Sequence, residues 1–240
     1  MPAGTSANER GRTVTDNSAV LFDVDGTLVD SNYLHVHAWR RAFADVHIEV
    51  ESWRIHRAIG MDGSELVRLL SDDAPEDIRQ RLKDLHSRYY QQSAALLSPL
   101  PGARRLLEHV AALGVPVVLA TSAPEDELAV LRKVLDCDDL VTAFTSSNDV
   151  DVAKPDPGII RVALDRIGAS ADRAAFVGDA VWDAQACGRA GLPCICLLSG
   201  GVSRAELETA GAAAVFDNAE DLLLHLGQTP IAALAGRPGS

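Results

Sequence analysis

Positive charge is scarce in this chain. Its 240 residues carry 22 Lys and Arg against 34 Asp and Glu, a formal net charge of −12. That balance argues against a nucleic-acid groove or an anionic membrane surface as its main partner. It also obliges any anionic ligand to find local cations. Cysteine is sparse too. Cys137, Cys187, Cys194 and Cys196 are the four present, and they show neither metal nor disulfide spacing. Cys194 and Cys196 alternate within the apolar run Leu192–Leu198 and are expected as reduced core thiols on one face of a strand. No apolar run approaches the ~20 residues of a membrane span. Residues 1–18 are polar and lack an apolar h-region, so they do not resemble a secretory signal. A cytoplasmic protein is the simplest class, with residues 1–17 and 228–240 expected as flexible tails.

The most informative stretch is Val20-Leu-Phe-Asp-Val-Asp-Gly-Thr-Leu-Val-Asp30. An apolar run from Ala19 to Phe22 predicts a buried strand. It ends in two carboxylates, Asp23 and Asp25, and Gly26-Thr27 then break it. A turn at Gly26 can bring both carboxylates to one site. Such a pair suits a hard cation and an electrophilic, anionic substrate, and it is costly to hold unless something uses it.

From Leu100 onward, apolar strands alternate with amphipathic helices. Helices are expected over 103–113, 125–135, 156–167 and 182–190, and strands over 115–120, 141–144, 174–177 and 193–198. A final helix, strand and helix run to Leu226. Repeated βα units predict an α/β fold whose parallel sheet is covered on both faces. Residues 31–97 break the rhythm. They carry no convincing strand, and helices are expected over 32–43, 64–70 and 75–97. The expected organisation is an α/β core over 18–30 and 98–227 with an all-helical insertion over 31–97. An insertion there would sit above the carboxyl ends of the strands, where α/β proteins bind ligands.

Three further features end on the same edge. Val117–Ala120 runs into Thr121-Ser122, Lys154 precedes Pro155-Asp156-Pro157, and Ala174–Val177 runs into Gly178-Asp179 with Asp183 four residues on. Singly, each has an ordinary explanation as a turn, a helix cap or a surface lysine. Together, in this order, they form a kit for phosphoryl transfer, which needs mainly positioning and charge neutralisation. Asp23 can be a nucleophile and Asp25 its acid–base partner. Asp179 can complete a Mg²⁺ site with Asp23. Thr121, Ser122 and Lys154 can hold phosphate oxygens. A signalling receiver domain uses similar residue types. It accepts phosphate on its third strand, however, and has no place for residues 31–97.

On these motifs the chain resembles the haloacid dehalogenase superfamily of phosphohydrolases over about residues 19–226. Asp23-Val24-Asp25-Gly26-Thr27 is similar to the first motif, Thr121 to the second, Lys154 to the third, and Gly178-Asp179 with Asp183 to the fourth. The resemblance implies a Rossmann-like three-layer core, a helical cap over 31–97 and Mg²⁺ dependence. It implies an aspartyl-phosphate on Asp23, with Asp25 protonating the leaving group and then activating water. It also implies Asp23, Asp179 and the Asp25 backbone carbonyl as metal ligands, with Asp183 in support. The dehalogenases of the superfamily lack an acid at the Asp25 position, so its presence favours phosphate chemistry.

Asp30-Ser31-Asn32-Tyr33-Leu34-His35…Trp39 resembles the β-phosphoglucomutase/phosphoglycolate phosphatase branch, and His35 would either couple Asp25 to cap closure or serve as a hydrogen-bonded interface histidine. Trp39 is expected in the core. Two departures argue against the mutase itself: Gly63 stands where the mutase has a cap arginine, and Gly178 where it has a glutamate. Water is therefore the expected acceptor, with a phosphomutase as the alternative. The expected substrate is a small phosphorylated metabolite, either a sugar phosphate or a phosphoglycolate-like ester. The expected state is a monomer or a small homo-oligomer. His35, Arg57, Met61 and Arg68 are the candidates for specificity, although a solvated face is the ordinary place for a helix arginine. Phosphonatases of the superfamily form a Schiff base on a cap lysine; Lys83, the one lysine over 31–97, lies on the polar side of a long helix and is not assigned that role.

Overall fold

The computed structural model describes residues 17–150 and 154–235. The expected tail over 1–16 and the stretch 236–240 lie outside the described residues. Strands β1 (Asn17–Phe22), β2 (Val117–Ala120), β3 (Ala143–Thr145), β4 (Ala169–Gly178), β5 (Cys194–Leu197) and β6 (Ala214–Phe216) form one parallel sheet. Their order is β3-β2-β1-β4-β5-β6. This is the doubly wound arrangement, and its direction of winding reverses beside β1. On β1, Val20 pairs with Val117 on one side and Ala175 on the other. β4 begins five residues earlier than the apolar run predicts, because Ala169 pairs with Asn17 across a register shift.

The period-two side-chain alternation of the strands builds three layers. Val20, Phe22, Val117, Leu119, Ile195 and Leu197 enter one hydrophobic cluster, while Ala19, Leu21, Val118, Ala120, Cys194 and Cys196 enter the other. Helices α5 (Ala103–Ala112) and α6 (Glu125–Leu135) supply the first cluster. Helices α7 (Gly158–Ile167), α8 (Val181–Ala190) and α9 (Arg204–Ala210) supply the second. The expected pairing of Cys194 and Cys196 on one face therefore holds, and all four cysteines are free and buried. No helix among the described residues is long and apolar enough to cross a membrane.

Between β1 and α5 lie only helices: α1 (Asn32–Asp45), α2 (Ser52–Ala58), α3 (Gly63–Leu70) and α4 (Glu76–Gln92), with a short 3-10 turn at Ala94–Leu96. The segment leaves and returns side by side. Asp30 N donates to Ser98 O and Leu100 N to Leu28 O, at 2.9 and 2.8 Å. Two expectations need correction here. The helix expected over 75–97 stops at Gln92, where Ser93 caps it. Helix α2 has no counterpart in the expectations, because it spans seven residues and buries only Ile55 and Ala58. That is too short for a visible helical period.

The expected tail over 228–240 is corrected as well. After α10 (Ala219–Leu224), residues Pro230–Leu234 form α11, and Ile231 is wholly buried. Pro230 presets the first helical turn. The composition of the segment suggested a tail, but Ile231 and Leu234 join the core cluster. Asn17, also expected in a tail, belongs to β1.

Candidate active site

β1 delivers Asp23 to the carboxyl edge of the sheet. Its amide donates to Val177 O at 2.9 Å, which extends the ladder one residue past the strand. Gly26 then turns the chain at φ +70, and a side chain there would strike Asn32 and Asp179. Only glycine meets both demands. The turn closes with Leu28 N donating to Val24 O, and Asp25 is thereby brought to the same mouth as Asp23.

Asp23, Asp179 and Asp183 are all buried, and each offers an oxygen within 4.8 Å of the others. Lys154 is wholly enclosed between them. Its Nζ lies 3.1 Å from Asp23 Oδ1 and 2.8 Å from Asp183 Oδ1, and it also donates to Ala120 O at 3.3 Å. Asp183 caps its own helix, since its Oδ2 accepts from the amides of Asp179 and Ala180 at 3.2 and 3.1 Å. A side chain at Gly178 would come within 2.5 Å of that carboxylate. Asp179 accepts from Thr27 Oγ1 and Asn32 Nδ2, both at 2.8 Å.

Burial pushes Asp23 up to about 7, against the attraction of Lys154 and with further upward pressure from Asp183 and Asp25. Burial also raises Asp179 well above the usual carboxylate range, helped by Asp183 and Asp23. A single lysine therefore leaves this cluster short of positive charge. Carboxylate oxygens in such a cluster suit a hard divalent cation. Asn32 Oδ1, buried at the same place, adds an oxygen without a hydrogen-bond donor among the described residues.

Asp25 is held differently. Its Oδ1 accepts from Ser31 Oγ at 2.6 Å and lies 3.2 Å from His35 Nε2. Burial pushes its carboxyl up, but the His35 charge and the hydrogen bonds from His35 and Ser31 hold it below its ordinary value. Burial works against the charged form of His35, yet its contact with Asp25 leaves it raised. His35 in turn meets His86 Nε2 through Nδ1 at 3.1 Å and stacks on Tyr90, while His86 stacks on Trp39. Trp39 is buried as expected but also lines the site.

A cavity of about 420 Å³ opens above these groups. Asp23, Asp25, His35, Thr121, Ser122 and Asp179 all line it; Lys154 and Asp183 lie behind its floor. Thr121 Oγ1 accepts from Ala123 N at 3.0 Å, which leaves its own O–H free to donate. Of the specificity candidates, Met61 lines the cavity with His35. Arg57 and Arg68 do not. Arg57 pairs with Glu206 on α9, and Arg68 pairs with Glu65 and Asp73 on the surface. Lys83, on the polar side of α4, also lines the cavity. Glu127 and His86 are site residues that the sequence motifs do not mark, and Ser31 and Asn32 lie in the segment after Asp30 without a role assigned from sequence. The only sequence signal for His86 and Tyr90 is their spacing of four on α4.

A buried acid–lysine cluster at the winding reversal of a parallel α/β sheet, beneath a helical insertion, defines the class. The model of the haloacid dehalogenase-like hydrolases matches residues 18–191, and the chain belongs to that family. It is 32% identical over 219 residues to a phosphoglycolate phosphatase of Rhodospirillum rubrum, which covers 87% of this chain and 90% of that one. It is 29% identical over 180 residues to a phosphorylated carbohydrates phosphatase of Thermotoga maritima, covering 72% and 82% respectively. A solved hydrolase of Pseudomonas syringae superposes with a TM-score of 0.85 at 37% identity, covering 88% of this chain and 99% of that one.

Proposed function

We propose that this hydrolase is a Mg²⁺-dependent phosphatase of a small phosphorylated metabolite, acting through an aspartyl-phosphate on Asp23. The observation that carries this reading is Asp23 at the cavity floor, with Lys154 Nζ at 3.1 Å and two further buried carboxylates beside it. The phosphatase relatives support the phosphate-ester class. The helical segment serves as the cap that excludes bulk water.

In the first step an Asp23 carboxylate oxygen attacks phosphorus, and the ester oxygen leaves with a proton from Asp25. In the second, Asp25 takes a proton from water, whose oxygen attacks the phosphoaspartate and releases inorganic phosphate. The contacts from Ser31 and His35 favour the ionised Asp25 that this second step uses. His35 positions Asp25 and does not touch the reacting atoms. Thr121 donates its free hydroxyl to a phosphate oxygen, Ser122 stands beside it, and the Lys154 ammonium offsets the incoming charge. Asp23, Asp179 and the Asp25 backbone carbonyl would hold Mg²⁺, which when bound supplies the positive charge the acid cluster lacks. Asp183 fixes Lys154 and the start of α8. The buried free thiols accord with a reducing compartment such as the cytoplasm.

The test is turnover of p-nitrophenyl phosphate. Activity should require Mg²⁺ and vanish with a chelator. Asp23→Asn should lower it by roughly a thousandfold or more with the circular dichroism of the fold unchanged. Substantial residual turnover in that variant would remove Asp23 as the nucleophile.

A further inference from the structure

The polar face of α4 borders the active-site cavity, with Gln80 and Asp84 also open to solvent. Gln80, Lys83, Asp84 and Ser87 recur at intervals of three, one and three, so they share one helix face, and all four line the cavity. The opposite stripe, Leu82, Leu85 and Tyr89, is buried in the core of the insertion. Lys83 is the only lysine or arginine among the described residues that line the cavity. It is half-buried, and among the described residues it forms no ion pair and one hydrogen bond, a long one of 3.4 Å to Ser64 Oγ. Its ammonium can donate three hydrogen bonds, so most of that capacity is uncommitted.

The same walls carry Asp62, Asp84, Asp126 and Glu127, outside the acid cluster at the floor. Glu127 is 4% exposed. Four carboxyl groups against one lysine make a poor environment for a second anionic group on the substrate. They make a good one for hydroxyl groups, which donate to carboxylates and accept from an ammonium.

We propose that this face, with Lys83 at its centre and with Glu127 of α6 lining the same cavity, is the leaving-group subsite, and that it selects an uncharged, polyhydroxylated leaving group over a carboxylated one. The inference rests on the phosphatase reading and narrows its substrate class. Lys83 supplies donors to a hydroxyl or ring oxygen, while Glu127 and Asp84 accept from hydroxyls.

The experiment compares glycerol 3-phosphate and a hexose 6-phosphate with 2-phosphoglycolate, using p-nitrophenyl phosphate as a reference without hydroxyl groups. The polyol and sugar esters should exceed 2-phosphoglycolate in kcat/KM by about tenfold or more. Lys83→Met should lose about tenfold on the hydroxylated esters, mainly in KM, and far less on p-nitrophenyl phosphate; Lys83→Arg should recover part of the loss. A preference of the wild type for 2-phosphoglycolate would overturn the proposal, as would equal losses on every ester in Lys83→Met. If p-nitrophenyl phosphate and all the other esters go unhydrolysed with Mg²⁺ present, the phosphatase reading itself has failed.

Discussion

The sheet edge and the helical insertion both face the cavity, and they hold their polar groups in opposite ways. At the sheet edge each charged group is fixed by named partners. Lys154 bridges Asp23 and Asp183, and Thr27 and Asn32 hold Asp179. On α4, Lys83 has one long hydrogen bond, and Gln80 and Asp84 are exposed and, among the described residues, bond only to each other. Reaction chemistry shared by many substrates calls for groups preset to within fractions of an ångström. Groups that meet the variable part of a substrate can remain adaptable. His35 stands between the two regimes. It lies on α1 of the insertion, yet its ring is fixed between Asp25 and His86.

The contrast breaks first at Lys154. Lys154→Met leaves a cluster of carboxylates without their buried cation, so the unfolding free energy should fall by about 3–5 kcal/mol. Lys83→Met should change it by less than about 0.5 kcal/mol. Urea unfolding of the two variants, followed by circular dichroism, gives both numbers. Similar losses in the two would erase the distinction between the regions.

Glu127 sharpens the comparison, because it belongs to the sheet side yet has no hydrogen-bond or ion-pair partner among the described residues. Burial raises its carboxyl from 4.5 to about 7, with Asp25 and Asp126 adding to the effect and His35 opposing it. Above pH 4.5 the unfolded chain has released this proton while the folded chain keeps it. The cost to stability therefore grows from pH 4.5 to about 7 and stays level above. Glu127→Gln removes that cost. It should raise stability at pH 8 by on the order of 2 kcal/mol and give no gain near pH 4.5. A pH series of thermal melts reads the sign directly, and a variant less stable than wild type at pH 8 would show Glu127 to be a supported charge.

The smallest effect is expected at Arg57–Glu206, the exposed ion pair between α2 and α9. Arg57 and the Ser203 cap hold Glu206 down at about 2, so its contribution is present above its ordinary value and lost as the pH falls toward 2. Solvent screens the pair. Glu206→Gln should therefore leave the melting temperature at pH 7 unchanged within error. A clear drop would mean that this pair, rather than apolar packing, clamps the insertion to the core.

Much of the sheet edge was legible in the chain. Apolar runs ending in Asp23-Val24-Asp25, Thr121 and Gly178-Asp179 are strands that stop at one edge. Parallel strands joined by helices must present all their carboxyl ends together, so order and spacing alone placed these residues in one site. The covering of the sheet on both faces followed from the repeated βα units, and alternation along β5 put Cys194 and Cys196 on one face.

The insertion was legible as helices but not as a surface. A helical period says which residues share a face, yet it says nothing about what that face meets. Gln80, Lys83, Asp84 and Ser87 are a polar stripe in any setting. Only the return of the chain at Ser98–Leu100 and the packing of α4 on α1 made that stripe a cavity wall. Arg57 and Arg68 carry the charge expected of an anion subsite, and tertiary packing turned both away from it. The histidine–tyrosine–tryptophan stack depends on side chains about fifty residues apart, and the docking of α11 depends on a slot that no local pattern announces. The sequence by itself determined the chemistry, because strand ends and chain order restrict where its groups can go. Tertiary structure decided what faces that chemistry, because the orientation of one helix against another is set by long-range packing alone.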